Sequence, residues 1–208
     1  MSLFTDKVLQ SGKKKKWEAG SYTVTSSRTL IAGDKPGTGI DIPSNHTLSI
    51  CMGGGGASGA YTIDQGQDIG GPGGEGGEEL STTYNASNGQ NVTCVIGNGG
   101  AGAAAGVIHF NASGGDTKFA TLTAIRGSGG YFGSSQNRST CGGTYHAGWE
   151  ANSTTGPYGG QAGVHGHGGN AYNGVGTTNG GGGGGGGNPT SGCGAGSKGK
   201  IVITWSAQ

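Results

Sequence analysis

Glycine sets the terms on which this chain can fold, because so much of it falls in register. It supplies 53 of 208 residues, with Gly70-Gly71-Pro72-Gly73-Gly74-Glu75-Gly76-Gly77-Glu78, then Gly160-x-x-Gly163-x-x-Gly166-x-x-Gly169, then the unbroken run Gly180 to Gly187. A period of three is the repeat of an extended left-handed helix with three residues per turn, about 3.1 Å rise per residue and no internal hydrogen bonds. The amides of such a helix must be satisfied sideways, by neighbouring backbones, and glycine lets those backbones come close enough. The number of glycine columns then counts the buried faces. Gly-x-x has one packed stripe, Gly-Gly-x has two, and the octaglycine run, roughly 25 Å long at that rise, can be surrounded on every side. Flexible linkers are the usual product of Gly/Ser tracts. Here Ser is not the partner residue, aromatic-bearing segments separate the tracts, and β-branched runs flank them. Collagen is excluded, since the period breaks every few repeats and there are only five prolines.

Only 30% of the residues are hydrophobic, too few for an ordinary core at this length, so backbone packing and a small β core must supply the stability. A net charge of +1 with 11% charged residues gives no field for nucleic acid or an anionic membrane. The exception is Lys13-Lys14-Lys15-Lys16, ordinarily a solvated run. Trp17-Glu18-Ala19-Gly20 follows it in place of the apolar stretch of a signal peptide, and no stretch is apolar enough to insert in a membrane. The chain is expected to fold in a cytosol, where its six Asn-x-Ser/Thr sequons are chance products of composition.

Strands are predicted at 22–25, 29–31, 47–52, 91–96, 106–110, 119–124 and 200–205, each β-branched and bounded by Gly, Asn, Asp or Pro. Leu3 to Gln10 is the only candidate for a turn or two of helix. The fold class expected is mainly β and irregular: a small antiparallel β core carrying a bundle of polyglycine II helices joined by loops. The final strand is expected to return to the core from the far side of the glycine-rich region. Cys51 and Cys94 lie in apolar runs and are expected to act as small buried hydrophobes, and the scattered Cys141 and Cys193 form no CxxC pair.

Catalytic motifs fail on context. Gly97-x-Gly99-x-x-Gly102 follows a strand, with Asp116 beyond it, but Ala103-Ala104-Ala105 is cut by Gly106 before the helix that a dinucleotide site requires. Gly194-x-x-x-x-Gly199-Lys200 continues into Ile201 and a strand, without the Ser/Thr and helix of a phosphate loop. His165 and His167 diverge by about 120° on a three-fold helix, which disfavours chelation, so no metal site is expected. Glu78-Glu79 reads as a solvated tract end. Neither a cofactor nor an enzymatic activity is expected.

The large side chains gather elsewhere. Tyr131, Phe132, Arg138, Tyr145, His146, Trp149 and Tyr158 crowd between glycine tracts among Ser, Asn and Gln. That is the composition of binding loops, suited to a protein surface or a sugar face. Aromatics of this kind also cap the ends of glycine rods, and the residues do not choose between the two roles. Tyr61, Tyr84 and Tyr172, single aromatics beside tract ends, fit capping better.

Gly89-Gln90-Asn91-Val92-Thr93-Cys94-Val95-Ile96-Gly97-Asn98-Gly99-Gly100-Ala101-Gly102, followed by Asp116-Thr117-Lys118-Phe119 and Leu122-Thr123-Ala124, resembles the glycine-rich domain of bacteriophage tail and tail-fibre proteins. Ser49-Ile50-Cys51-Met52-Gly53-Gly54-Gly55-Gly56 and Gly199-Lys200-Ile201-Val202-Ile203-Thr204-Trp205 are similar to its opening and closing strands. The likeness extends to the tip adhesins of T-even-type long tail fibres, whose glycine helices form a sandwich. Those adhesins carry a much longer N-terminal attachment domain than residues 1–45. The resemblance implies residues 1–45 as a leader with the first strands, 46–208 as the glycine-rich domain, and Lys13, Lys14, Lys15, Lys16 and Trp17 as candidates for virion attachment. It implies a virion protein of the tail fibre or tail tip, assembled in the host cytoplasm, that recognises the host through the aromatic loops. Its partners would be an outer-membrane protein or surface glycan and other tail or fibre proteins, with no nucleic acid and no membrane insertion. The alternative is a structural connector or decoration protein without receptor binding.

Overall fold

The computed structural model describes residues 16–56, 61–64, 67–70, 77–102, 104, 112–124 and 194–208, and among these every regular element is a strand. In chain order these are β1 (Gly20–Val24), β2 (Arg28–Gly33), β3 (Ile42–Pro43), β4 (Thr47–Gly53), β5 (Tyr61–Asp64), β6 (Gln67–Gly70), β7 (Glu79–Asn85), β8 (Asn91–Val95), β9 (Thr117–Phe119), β10 (Leu122–Ala124) and β11 (Lys200–Trp205). One sheet has the order β1-β11-β4-β7, a second β10-β9-β8-β2-β3, and β5-β6 pair as a hairpin. Pairing is antiparallel except between β2 and β3.

Period-two alternation decides what faces inward. In β4, Leu48, Ile50 and Met52 are buried while Thr47 and Ser49 are exposed, and in β8 Val92 and Cys94 are buried between exposed Asn91, Thr93 and Val95. Register aligns these positions into rows, with Ile50 opposite Ile203, Met52 opposite Ile201, Leu30 opposite Val92 and Cys94 opposite Phe119. The two sheets close over one apolar cluster, and Tyr84 of β7 meets Phe119 of β9 edge-on at 5.3 Å across it. The C-terminal strand β11 lies between β1 and β4, so the return of the final strand holds.

The expected strand 119–124 is instead a hairpin. Phe119 pairs with Leu122 across Ala120-Thr121, and Ala120 takes a positive φ of 51° while its amide donates to Thr93 O at 2.9 Å. The core is built of two sheets and includes a strand at 79–85 that polar composition conceals. Leu80, Thr82 and Tyr84 turn partly inward while Ser81, Thr83 and Asn85 face solvent. Glu79, read as a solvated tract end, is buried at the start of that strand. Tyr84, expected as a cap beside a glycine tract, packs on the core, and its hydroxyl accepts from Gln90 Nε2 at 2.8 Å. The expected strand at 106–110 and the helical turn at 3–10 lie outside the described residues.

The two cysteines in apolar runs differ. Cys94 is free and buried, whereas Cys51 is half-buried on the outer side of β4 and disulfide-bonded, so it is no simple hydrophobe. Burial pushes the Cys94 thiol up from 9.0 to about 11, with Arg28 opposing and Asp41 reinforcing the shift.

Two outcomes test this core. Phe119→Ala should cost about 3–5 kcal/mol in denaturant unfolding, while Thr93→Ala, on the solvent face, should stay within about 0.5 kcal/mol. The raised Cys94 pKa means that the native state holds its proton where the unfolded chain has lost it. Its contribution is therefore intact below pH 9 and is lost as pH rises towards 11, on the order of 2 kcal/mol. Cys94→Ala should lack that component of the alkaline decline in stability.

Candidate functional site

Both sheets deliver glycine to the same end of the sandwich. β4 leaves through Gly53 into Gly54-Gly55-Gly56, and β8 leaves through Ile96 into Gly97-Asn98-Gly99-Gly100. β7 is entered from Gly77-Glu78, β9 from Gly114-Gly115-Asp116 and β11 from residues 194–199. The registers that place Glu79 and Lys200 opposite Gly53, and Lys118 opposite Val95, fix this end.

Beyond the strands the backbone bonding changes character. A strand has two neighbours and alternates its amides between them. Here three successive amides reach three different segments: Gly54 N donates to Glu78 O, Gly55 N to Gly115 O and Gly56 N to Ser197 O, each at 2.9 Å. Gly100 N donates to Gly56 O at 2.8 Å, Gly196 N to Gly100 O at 2.9 Å, Gly115 N to Asn98 O at 2.7 Å and Gly199 N to Gly97 O at 2.8 Å. Segment 54–56 is thereby ringed by four others. Every amide so bonded is removed from competition with water, which a buried glycine segment requires.

Side chains are excluded from this layer. A Cβ on Gly97 would overlap the carbonyl of Gly115, and one on Gly99 would overlap that of Gly196. By contrast, a Cβ at Gly37 would meet nothing within 4 Å. Buried Thr117 joins the array through its side chain, its hydroxyl accepting from Gly97 N at 3.1 Å.

The opposite end carries the tryptophans. Trp17 Nε1 donates to Gly33 O and Trp205 Nε1 to Glu18 O, both at 2.9 Å, and the rings meet edge-on at 5.5 Å. Gln208 N donates to Trp17 O at 3.0 Å, which ties residues 17 and 208 together. Of the attachment candidates, Lys16 is exposed here and Trp17 is buried within the fold, and Lys13, Lys14 and Lys15 lie outside the described residues. Tyr131, Phe132, Arg138, Tyr145, His146, Trp149 and Tyr158 also lie outside them, as do His165 and His167.

Polar clusters elsewhere are structural. Asp34 Oδ1 accepts from Ser44 Oγ at 2.5 Å and Asn45 Nδ2 at 3.0 Å, holding the turn in which Asn45 adopts a φ of 49°. Among the described residues no three His, Cys, Asp or Glu side chains gather as a metal site. The residues that do converge are glycines of short groups beside strand ends. The sequence marks those at 53–56 and 97–100 through the family resemblance and through their position immediately after a strand, whereas the three-residue period assigns the bundle to the longer tracts.

No curated protein matches the chain. The family model described as a glycine-rich domain matches residues 34–175, from the turn after β2 through all the strands from β3 to β10 and well over half of the chain. The chain belongs to that glycine-rich domain family.

Proposed function

We propose that the glycine-bearing end continues as a bundle of polyglycine II helices, and that the protein is a bacteriophage tail-fibre or tail-tip adhesin that binds the host surface without catalysis. The observation that carries this reading is the three-way bonding of Gly54, Gly55 and Gly56. Three lateral partners on three successive residues is the demand of a three-fold helix, and a sheet cannot meet it. Tracts such as Gly180 to Gly187 have the composition to extend such a layer. The polarity of the molecule agrees with an adhesin. Glycine segments leave one end of the sandwich, while Lys16 and the paired tryptophans sit at the other. Loops between glycine helices would then face the host, and the lysine end would face other tail or fibre proteins. The resemblance in residues 89–102 and 116–124 supplies the phage context.

The bundle reading predicts asymmetric tolerance. Gly97→Val should cost about 3 kcal/mol or more in thermal or denaturant unfolding, because its side chain meets backbone that cannot move without breaking hydrogen bonds. Gly37→Val should cost far less. Equal tolerance at the two sites would remove the packed layer.

For function, Tyr145→Ala with Trp149→Ala should abolish adsorption of the purified protein to host cells while leaving its thermal unfolding unchanged, as for clustered hot spots. Unfolding of that variant would make the aromatics structural caps. A wild-type protein that neither adsorbs nor blocks infection, yet is incorporated into particles, would instead identify a connector or decoration protein.

A further inference from the structure

An asparagine followed by glycine can react with its own backbone, because glycine puts no Cβ in the way of attack by its amide on the asparagine side chain. Two such pairs lie among the described residues, Asn88-Gly89 and Asn98-Gly99, and both asparagines are exposed. Asn173-Gly174 and Asn179-Gly180 lie outside them. Sequence alone does not separate the two described pairs. The structure does, through the state of the glycine amide, which is the nucleophile. Gly89 N donates to Ala32 O at 2.9 Å within the turn between β7 and β8, a turn that Gln90 N closes on Ser87 O at 3.1 Å and in which Gly89 is held at a φ of 76°. Gly99 is half-buried in the glycine layer, and among the described residues its amide donates to no backbone carbonyl, whereas Gly100 N beside it donates to Gly56 O at 2.8 Å. The amide attacks only after losing its proton, and a hydrogen bond that protects it from exchange also holds back that loss.

We propose that Asn98 is a site of spontaneous deamidation, and that its conversion unfastens the glycine layer. Gly99 N, its proton taken by a solvent base, bonds to Asn98 Cγ. The Cγ–Nδ2 bond breaks, the nitrogen leaves as ammonia with a proton from solvent, and a cyclic succinimide remains. Water then opens the ring. Its attack at Cγ gives aspartate, and its attack at the main-chain carbonyl gives isoaspartate, in which the chain runs on through Cβ and Cγ. No electrons are exchanged, and water is the only co-reactant. The place in the fold gives the reaction its consequence. Gly97 N donates to Thr117 Oγ1 at 3.1 Å, Asn98 O accepts from Gly115 N at 2.7 Å and Gly100 N donates to Gly56 O, so the chain is held on both sides of the reacting bond. In isoaspartate the Asn98 carbonyl leaves the main chain as a carboxylate, and the added main-chain carbon moves Gly99 and Gly100 out of register. A layer in which a Cβ on Gly99 would overlap the Gly196 carbonyl has no room for that shift.

This inference rests on the observed glycine layer and not on the proposed function, and it is tested without host cells. The full chain is aged at mildly alkaline pH and its fragments are sequenced by mass spectrometry, where each conversion adds about 1 Da, while an isoaspartyl methyltransferase tells isoaspartate from aspartate. In the folded chain Asn98 should convert at least about tenfold faster than Asn88, and in urea, where both glycine amides are open, the two rates should converge. Once Asn98 has become isoaspartate, the amides of Gly100 and Gly115 should lose their protection from exchange. Asn98→Gln, whose longer side chain closes the ring far more slowly, should keep that protection through the same ageing. Conversion of Asn88 in the folded chain as fast as that of Asn98, or faster, would overturn the proposal. So would wild-type protein whose Gly100 and Gly115 amides stay protected after Asn98 has become isoaspartate, a readout that holds even if the glutamine variant fails to fold.

Discussion

The contact on which the rest of this molecule depends is backbone against backbone at the end of the sandwich. Where β4 and β8 run out, their amides still need acceptors, and the acceptors are carbonyls of other glycine segments at 2.7–2.9 Å. Such contacts require that no side chain intervene, as the overlap of any Cβ on Gly97 with Gly115 makes plain. Glycine is otherwise a poor choice for order, since it loses the most conformational freedom on folding. Its use here is explained by a geometry that larger residues cannot enter.

Order in those segments has to be imposed from outside, and the β-sandwich imposes it. Each glycine group is tethered within a few residues to a strand whose register is fixed by buried side chains such as Ile50, Ile201, Val92 and Phe119. The loop entropy that would otherwise oppose their meeting is thereby largely removed. Two features strengthen the clamp. β11 fills the gap between β1 and β4, joining the last described segment of the chain to the first, and the Trp17–Trp205 pair locks the opposite end. The sandwich is thus the frame and the glycine layer its load.

What could be read from sequence follows from the same division. β1, β4, β8 and β11 carry alternating β-branched residues, and the alternation is a side-chain signal, so their place in the core was legible. β7 was not, because Thr82 and Tyr84 face inward where an apolar residue would have announced the strand. The β9–β10 hairpin turned on Ala120 at positive φ, a conformation that its sequence does not advertise. Glycine contacts leave no side-chain pattern beyond the absence of side chains. The long tracts therefore drew attention, while Gly54 to Gly56, Gly97 to Gly100 and Gly114-Gly115 build the observed array. The aromatic loop residues could be named from composition, but the described residues do not include them.

Mutual backbone hydrogen bonds are what hold the glycine layer together. Residue-resolved amide exchange of the intact chain measures this directly, because Gly54, Gly55, Gly56, Gly100 and Gly196 donate those bonds outside any strand. Protection at these amides should be comparable to that of β4 and β8 and be lost only with global unfolding. Exchange at random-coil rates in these glycines, beside a protected sandwich, would contradict that bonding.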